Sequence, residues 1–68
     1  MTEHHDQIGK RLRAARLARS LTQREVADLL ECTTTTVSRY ETGAEVPQRG
    51  LRRKRVEQFI AEVAIQSR

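Results

Sequence analysis

Hydrophobic residues in this chain recur at the spacing of helices rather than in the alternation of strands. The first group lies among lysines and arginines and predicts a helix from about residue 7 to residue 19; its members are Ile8, Leu12, Ala15 and Leu17. The last group has the i, i+3, i+4, i+7 spacing of a helix face and consists of Val56, Phe59, Ile60 and Val63. This group predicts a final helix over about residues 49–66.

Two features of the sequence mark the start of a second helix at Thr22. Thr22 and Glu25 have the spacing of a capping box, in which each side chain accepts a hydrogen bond from the backbone N–H of the other residue. Leu21 and Val26 occupy the two positions of a hydrophobic staple. We expect this helix to end near Leu30, because helix propensity falls in the residues that follow.

Four consecutive threonines, residues 33–36, pose a conflict, because β-branched residues favour strands and no partner strand is evident nearby. Thr33 resolves the conflict for one residue if its hydroxyl caps a third helix. That helix is predicted over residues 34–41 or 34–42 and is closed by Gly43 in the left-handed conformation. Val37 and Tyr40 lie on one side of it. The other side carries hydroxyl groups and a guanidinium, from Thr34, Thr35, Ser38 and Arg39.

Charge and length narrow the class of protein. The 13 Lys and Arg residues against 9 Asp and Glu residues give a net charge of +4, which suits a polyanionic partner such as nucleic acid. A chain of 68 residues is expected to form one small domain, over residues 7–68, after a polar disordered tail at residues 1–6. A domain of this size buries a modest core, so a partner chain is a reasonable expectation.

The chemistry-bearing residues of the sequence argue against an enzyme. No set of nucleophile and base, metal ligands or phosphate-cradling glycines is present, so we expect no catalytic residue, metal or cofactor. Cys32 is the single cysteine and cannot form an intramolecular disulfide, which indicates a reducing compartment. No apolar run is long enough to cross a bilayer. These observations predict a cytoplasmic protein with no membrane partner.

Residues 21–43, LTQREVADLLECTTTTVSRYETG, resemble the signature of the phage-repressor and Cro-like helix-turn-helix family of bacterial and phage regulators. The resemblance implies an all-α, four- or five-helix, lambda-repressor-like domain with its helix-turn-helix at about residues 22–42. Glu31 departs from the family pattern, which has a turn glycine of positive φ at this place. The resemblance also implies a salt bridge between Arg16 and Glu41.

The same resemblance implies which side chains contact DNA. The N-terminal part of the third helix would enter the major groove, so the base-reading residues would be Thr34, Thr35, Ser38 and Arg39. A second group would hold the DNA backbone: Gln23, Arg24, Thr33, Arg49, Arg52 and Arg53. The strongest base preference is expected at Arg39, because a guanidinium can bind guanine through two hydrogen bonds.

These residues predict a sequence-specific regulator of double-stranded DNA. We expect it to be a repressor that binds a pseudo-palindromic operator as a homodimer. No small-molecule ligand is expected. The stripe of the last helix is the candidate dimer surface, and the alternative is that it packs on the first helix. The alternative function is a helix-turn-helix module whose main partner is a protein, of the antitoxin-like or coactivator-like kind. That function requires an apolar exposed face on the third helix, which the hydroxyl groups and Arg39 argue against.

Overall fold

The structure, a computed structural model, describes residues 7–48 and 50–66, with side chains described as far as residue 62. Over those residues the chain forms four helices: α1 (Ile8–Ala18), α2 (Gln23–Leu30), α3 (Thr34–Thr42) and α4 (Gly50–Gln66). The described part contains no strand, so the all-α expectation is confirmed. The predicted tail at residues 1–6, Arg49 and the side chain of Val63 lie outside the described residues.

The start of α2 is the predicted capping box. The Thr22 hydroxyl accepts a hydrogen bond from the Glu25 N–H at 3.0 Å, and the Glu25 carboxylate accepts one from the Thr22 N–H at 2.8 Å. Leu21 packs against the core and Val26 is buried in it, which places both residues of the expected staple on the inner side of the helix start. The cap fixes where α2 begins, because it satisfies backbone N–H groups that have no partner within the helix.

The ends of α3 also follow the sequence prediction. Thr33 is extended, with ψ of 159°, and its hydroxyl accepts from the Thr36 N–H at 3.1 Å. Gly43 follows the helix with φ of +85°, in the left-handed region that glycine adopts without steric cost. The threonine run is therefore helical after its first residue.

The turn between α2 and α3 contains an unusual residue. Glu31 has φ of +60°, the left-handed conformation expected where the family pattern has glycine. For a residue with a side chain this conformation costs about 1 kcal/mol or more. The turn is held by a hydrogen bond from the Cys32 N–H to the Ala27 carbonyl at 2.9 Å. The turn therefore keeps the same backbone shape without the glycine.

One hydrophobic core joins the four helices. α1 packs against both α3 and α4, and α3 also packs against α2. The buried core residues are Ile8, Leu12, Ala15, Val26, Ala27, Leu30, Val37, Tyr40, Val56 and Phe59. The inner side of α3 is thus packed in the core, and its outer side is exposed.

Val56 and Phe59 of the α4 stripe lie inside this core and Ile60 packs against it, which corrects the predicted dimer surface at these three residues. Val56 is 0% exposed and Phe59 is 5% exposed, while Ile60 is partly buried against them. These side chains are covered within a single chain, so they do not form an exposed surface for a second copy. The alternative, packing of the stripe against α1, is the arrangement in the structure. It prevails because a chain this short needs the apolar face of its longest helix to complete its core.

Gly9 lies where α1 comes very near the backbone of α3, a role that no pattern in the sequence indicated. A Cβ atom on Gly9 would overlap the carbonyl oxygen of Tyr40 and lie 3.1 Å from its carbonyl carbon. Only glycine leaves room for the end of α3 at this point. The close approach brings Glu41 next to α1, where Arg16 can reach it.

Candidate nucleic-acid interface

The exposed side of α3 carries polar groups that point away from the core. Thr34, Thr35 and Arg39 are exposed and Ser38 is half-buried. Within the described part of the chain, no hydrogen bond or ion pair engages the Arg39 guanidinium. The structure therefore brings the four predicted base-reading residues onto one accessible helix face.

Thr33 stands at the start of that face but has a structural task. Its hydroxyl accepts from the Thr36 N–H at 3.1 Å and lies 2.9 Å from the Thr36 hydroxyl. The side chain is exposed, so contact with a phosphate remains sterically open. Its hydroxyl is nevertheless already committed to capping α3.

Arg16 and Glu41 form the salt bridge that the resemblance implied. The Arg16 Nε donates to Glu41 Oε2 at 2.6 Å and its Nη2 donates to Glu41 Oε1 at 3.1 Å. A third donor, Arg16 Nη1, binds the Leu21 carbonyl at 3.0 Å. The two side chains are only 12% and 3% exposed. The hydrogen bond to Glu41 raises the pKa of Arg16 above its ordinary value, so the Arg16 guanidinium stays charged at any physiological pH.

Gln23 is attached to the same carboxylate. Its side-chain Nε2 donates to Glu41 Oε1 at 3.1 Å, and the residue is half-buried at the first position of α2. The family resemblance implied a phosphate contact for Gln23, whereas its bond to Glu41 was not predicted. No sequence pattern predicts this hydrogen bond, because Glu41 lies 18 residues after Gln23 along the chain.

The N-terminus of α2 retains free hydrogen-bond donors beside Gln23. The capping box uses the N–H groups of Thr22 and Glu25, while those of Gln23 and Arg24 have no partner in the described part of the chain. The Arg24 side chain is exposed. Free N–H groups and the positive end of the helix dipole favour an anion at this position.

The predicted phosphate contacts on α4 are largely engaged within the protein. Arg52 Nη1 donates to the Tyr40 hydroxyl at 3.3 Å, and this bond raises the pKa of Arg52 above its ordinary value. Arg53 donates to Glu57 at 2.9 Å and to the Pro47 carbonyl at 2.9 Å. Both arginines are half-buried, so they attach the start of α4 to the rest of the domain.

Three exposed cations lie on α1, a surface to which the sequence pattern had assigned no role. Lys10, Arg11 and Arg13 are exposed, and α1 contains no acidic residue. The signal was present in the α1 sequence, IGKRLRAARLA, where the cations are unaccompanied by carboxylates. This helix supplies much of the positive surface that the net charge of +4 predicts.

Cys32 is a half-buried thiol packed against the core. Burial raises its pKa, and the positive charge of Arg52 lowers it by a smaller amount. A raised pKa reduces the thiolate fraction at neutral pH, and the thiolate is the nucleophile. The environment therefore disfavours a redox-sensing role.

We expect slow alkylation of Cys32 in the folded protein. At pH 7, iodoacetamide should label the native thiol several-fold more slowly than the thiol of the chain unfolded in urea, because burial lowers both access and thiolate fraction. Mass spectrometry of quenched time points gives the two rates. Labelling of the native protein as fast as that of the unfolded chain would show a reactive thiol instead.

Comparison with known proteins supports the helix-turn-helix fold. A family model described as a helix-turn-helix domain matches residues 7–61, most of the chain. No curated protein and no solved structure matches the chain. None of the described helices is long and apolar enough to cross a membrane. From the match, together with the capped α2, the tight turn and the exposed face of α3, it follows that this chain belongs to the helix-turn-helix domain family.

Proposed function

We propose that this protein is a sequence-specific regulator that binds double-stranded DNA with the exposed face of α3. The observation that carries the proposal is that α3 has an exposed polar face on one side and buried core residues on the other. Hydroxyl groups and an unengaged guanidinium are presented outward, while Val37 and Tyr40 hold the helix against the core. The helix can therefore enter a groove without disturbing the fold.

The chemistry of the face suits base edges in the major groove. A threonine or serine hydroxyl can donate to or accept from either kind of base, and a threonine methyl can pack on the methyl group of thymine. Arg39 can donate two hydrogen bonds to O6 and N7 of one guanine, which is worth about 1–3 kcal/mol of discrimination. We assign the sharpest base preference to Arg39 for this reason.

We place the phosphate contacts at the start of α2. Gln23 and Arg24 combine free backbone N–H groups with a side-chain amide and an exposed guanidinium. Such contacts orient a protein on the duplex without reading its sequence. Exposed cations on α1 add attraction to the DNA backbone that weakens as salt is raised.

A homodimer acting as a repressor is the simplest regulator of this kind. A single α3 reads few base pairs, whereas two copies on a pseudo-palindrome with half-sites about 34 Å apart read enough for a genomic site. Repression requires only that the bound protein occupy a promoter, so no ligand and no catalysis are needed. Such a protein would act at the nucleoid, in the cytoplasm.

The test is selection from a random double-stranded DNA library, with the wild type and Arg39→Ala in parallel. We expect the wild type to enrich an inverted repeat, and the variant to lose base preference at one symmetric position, with a cost of about 1–3 kcal/mol there. Lys54→Ala is the matched control, because it removes one exposed positive charge from α4. It should weaken all sites alike or not at all.

Two other results would count against the proposal. Unchanged base preference in Arg39→Ala would move the readout to other side chains. Failure of the wild type to enrich any sequence would favour the alternative function, a module whose main partner is a protein.

A further inference from the structure

We propose that Glu41 is a positioning residue, which holds the side-chain amide of Gln23 at the place where α2 meets a DNA phosphate. This inference rests on the proposed function, because it concerns how the DNA backbone is gripped. It adds a role for a residue near the C-terminal end of α3 that has no direct contact with DNA in the proposal. The salt bridge with Arg16 then serves binding as well as folding.

One carboxylate oxygen of Glu41 accepts two hydrogen bonds. Glu41 Oε1 accepts from Arg16 Nη2 at 3.1 Å and from Gln23 Nε2 at 3.1 Å, while Oε2 accepts from Arg16 Nε at 2.6 Å. The paired bonds from a planar guanidinium fix the plane of the carboxylate. With its side chain 3% exposed, Glu41 has little freedom to move. The acceptor for Gln23 is therefore held in one position.

An amide held in this way is prepared for a phosphate. The Gln23 amide has two N–H groups, and the bond to Glu41 uses one of them. The second N–H has no partner in the described part of the chain, and neither do the backbone N–H groups of Gln23 and Arg24. A glutamine fixed before binding loses less side-chain entropy on contact with DNA than a freely rotating one.

Arg16 removes the electrostatic obstacle to this arrangement. An uncompensated carboxylate beside the start of α2 would repel a phosphate. The Arg16 guanidinium offsets that charge through two hydrogen bonds to the same group. Because Glu41 lies on α3 and Gln23 lies on α2, the bond between them also ties the phosphate contact to the orientation of the base-reading helix.

The test is a double-mutant cycle read out as the dissociation constant for DNA. In the wild type, Gln23→Ala should weaken binding by about tenfold, both to the selected site and to an unrelated duplex of equal length. In the background Arg16→Met/Glu41→Leu, the same substitution should weaken binding by less than about twofold, because the amide has already lost its anchor. This background replaces a buried ion pair with apolar residues of similar size, a change that is often tolerated.

Arg24→Ala is the matched control, since Arg24 has no contact with Glu41. It should weaken binding by the same factor in both backgrounds. An equal effect of Gln23→Ala in the two backgrounds would overturn the positioning role while leaving the proposed function intact. Wild-type protein that binds neither duplex would overturn both.

A measurement on the wild-type protein keeps the inference testable if the substituted background fails to fold. In the DNA-free protein, nuclear magnetic resonance relaxation of the Gln23 side-chain amide should show a rigid group. The exposed Gln58 on α4 is the internal reference for a mobile glutamine. An amide of Gln23 as mobile as that of Gln58 would overturn the inference.

Discussion

Replacement of Gly9 with alanine should lower the free energy of unfolding by about 3 kcal/mol or more, at the upper end of the cost of overpacking. The added methyl would overlap the carbonyl oxygen of Tyr40, and this oxygen belongs to the backbone of α3. Backbone atoms of a packed helix cannot rotate away as a flexible side chain can. The domain therefore has to separate α1 from α3, which are two of the helices that build its core.

Packing and helix propensity predict opposite effects of Gly9→Ala on the free energy of unfolding. In an open position of a helix, alanine is favoured over glycine by about 1 kcal/mol, so propensity alone predicts stabilisation. Urea unfolding followed by circular dichroism gives the difference between the variant and the wild type. A Gly9→Ala variant as stable as the wild type would show that the two helices pack further apart.

Gly43 and Gly50 provide matched controls. A Cβ atom at either position would meet nothing within 4 Å, but both residues have positive φ, +85° and +84°. Gly43→Ala and Gly50→Ala should therefore cost only the backbone strain, about 1–2 kcal/mol each. The contrast separates the effect of helix packing from the effect of conformation.

Removal of Arg16 alone should cause the second large decrease in the free energy of unfolding. Arg16→Met leaves the Glu41 carboxylate nearly fully buried without its cation, and breaking a buried pair in this way costs about 3–5 kcal/mol. Gln23 still donates to Glu41 but supplies no positive charge. Chemical denaturation measures this loss directly.

The double replacement Arg16→Met/Glu41→Leu should recover most of that stability, to within about 1–2 kcal/mol of the wild type, because no charge remains to be buried. The control is Arg55→Met, which breaks an exposed pair with Glu31, 3.4 Å apart, and should cost less than about 1 kcal/mol. A double variant as unstable as Arg16→Met would show that the pair stabilises the fold by more than mutual neutralisation.

Local features of the fold were predictable because they depend on residues within one or two turns of each other. The capping box joins Thr22 to Glu25 and the cap of α3 joins Thr33 to Thr36, three positions apart in each case. The left-handed residue at the end of α3 is a glycine in the sequence, Gly43. The residues on the outer side of α3 followed from helical periodicity, because the inner side was marked by Val37 and Tyr40.

Features that depend on where two helices meet were harder to predict from the sequence. The apolar stripe on α4 was compatible with a dimer surface and with the core, and only the packing of α4 on α1 buried Val56 and Phe59. Arg52 and Arg53 looked like free cations in the sequence. In the structure the partners of Arg52 and Arg53 come from Tyr40, Glu57 and the Pro47 carbonyl. Only the Arg53–Glu57 spacing of i, i+4 could have been recognised beforehand.

By itself, the sequence determined the class of fold, the caps of α2 and α3, and the polar face of α3, since each is set by hydrogen bonds and periodicity over a few neighbouring residues. The tertiary structure alone decided that Gly9 admits the end of α3 and that Gln23 shares an oxygen of Glu41 with Arg16. Those contacts join residues 18 to 32 positions apart, and they exist only when the helices cross at a particular distance and angle. No spacing along the chain encodes that geometry.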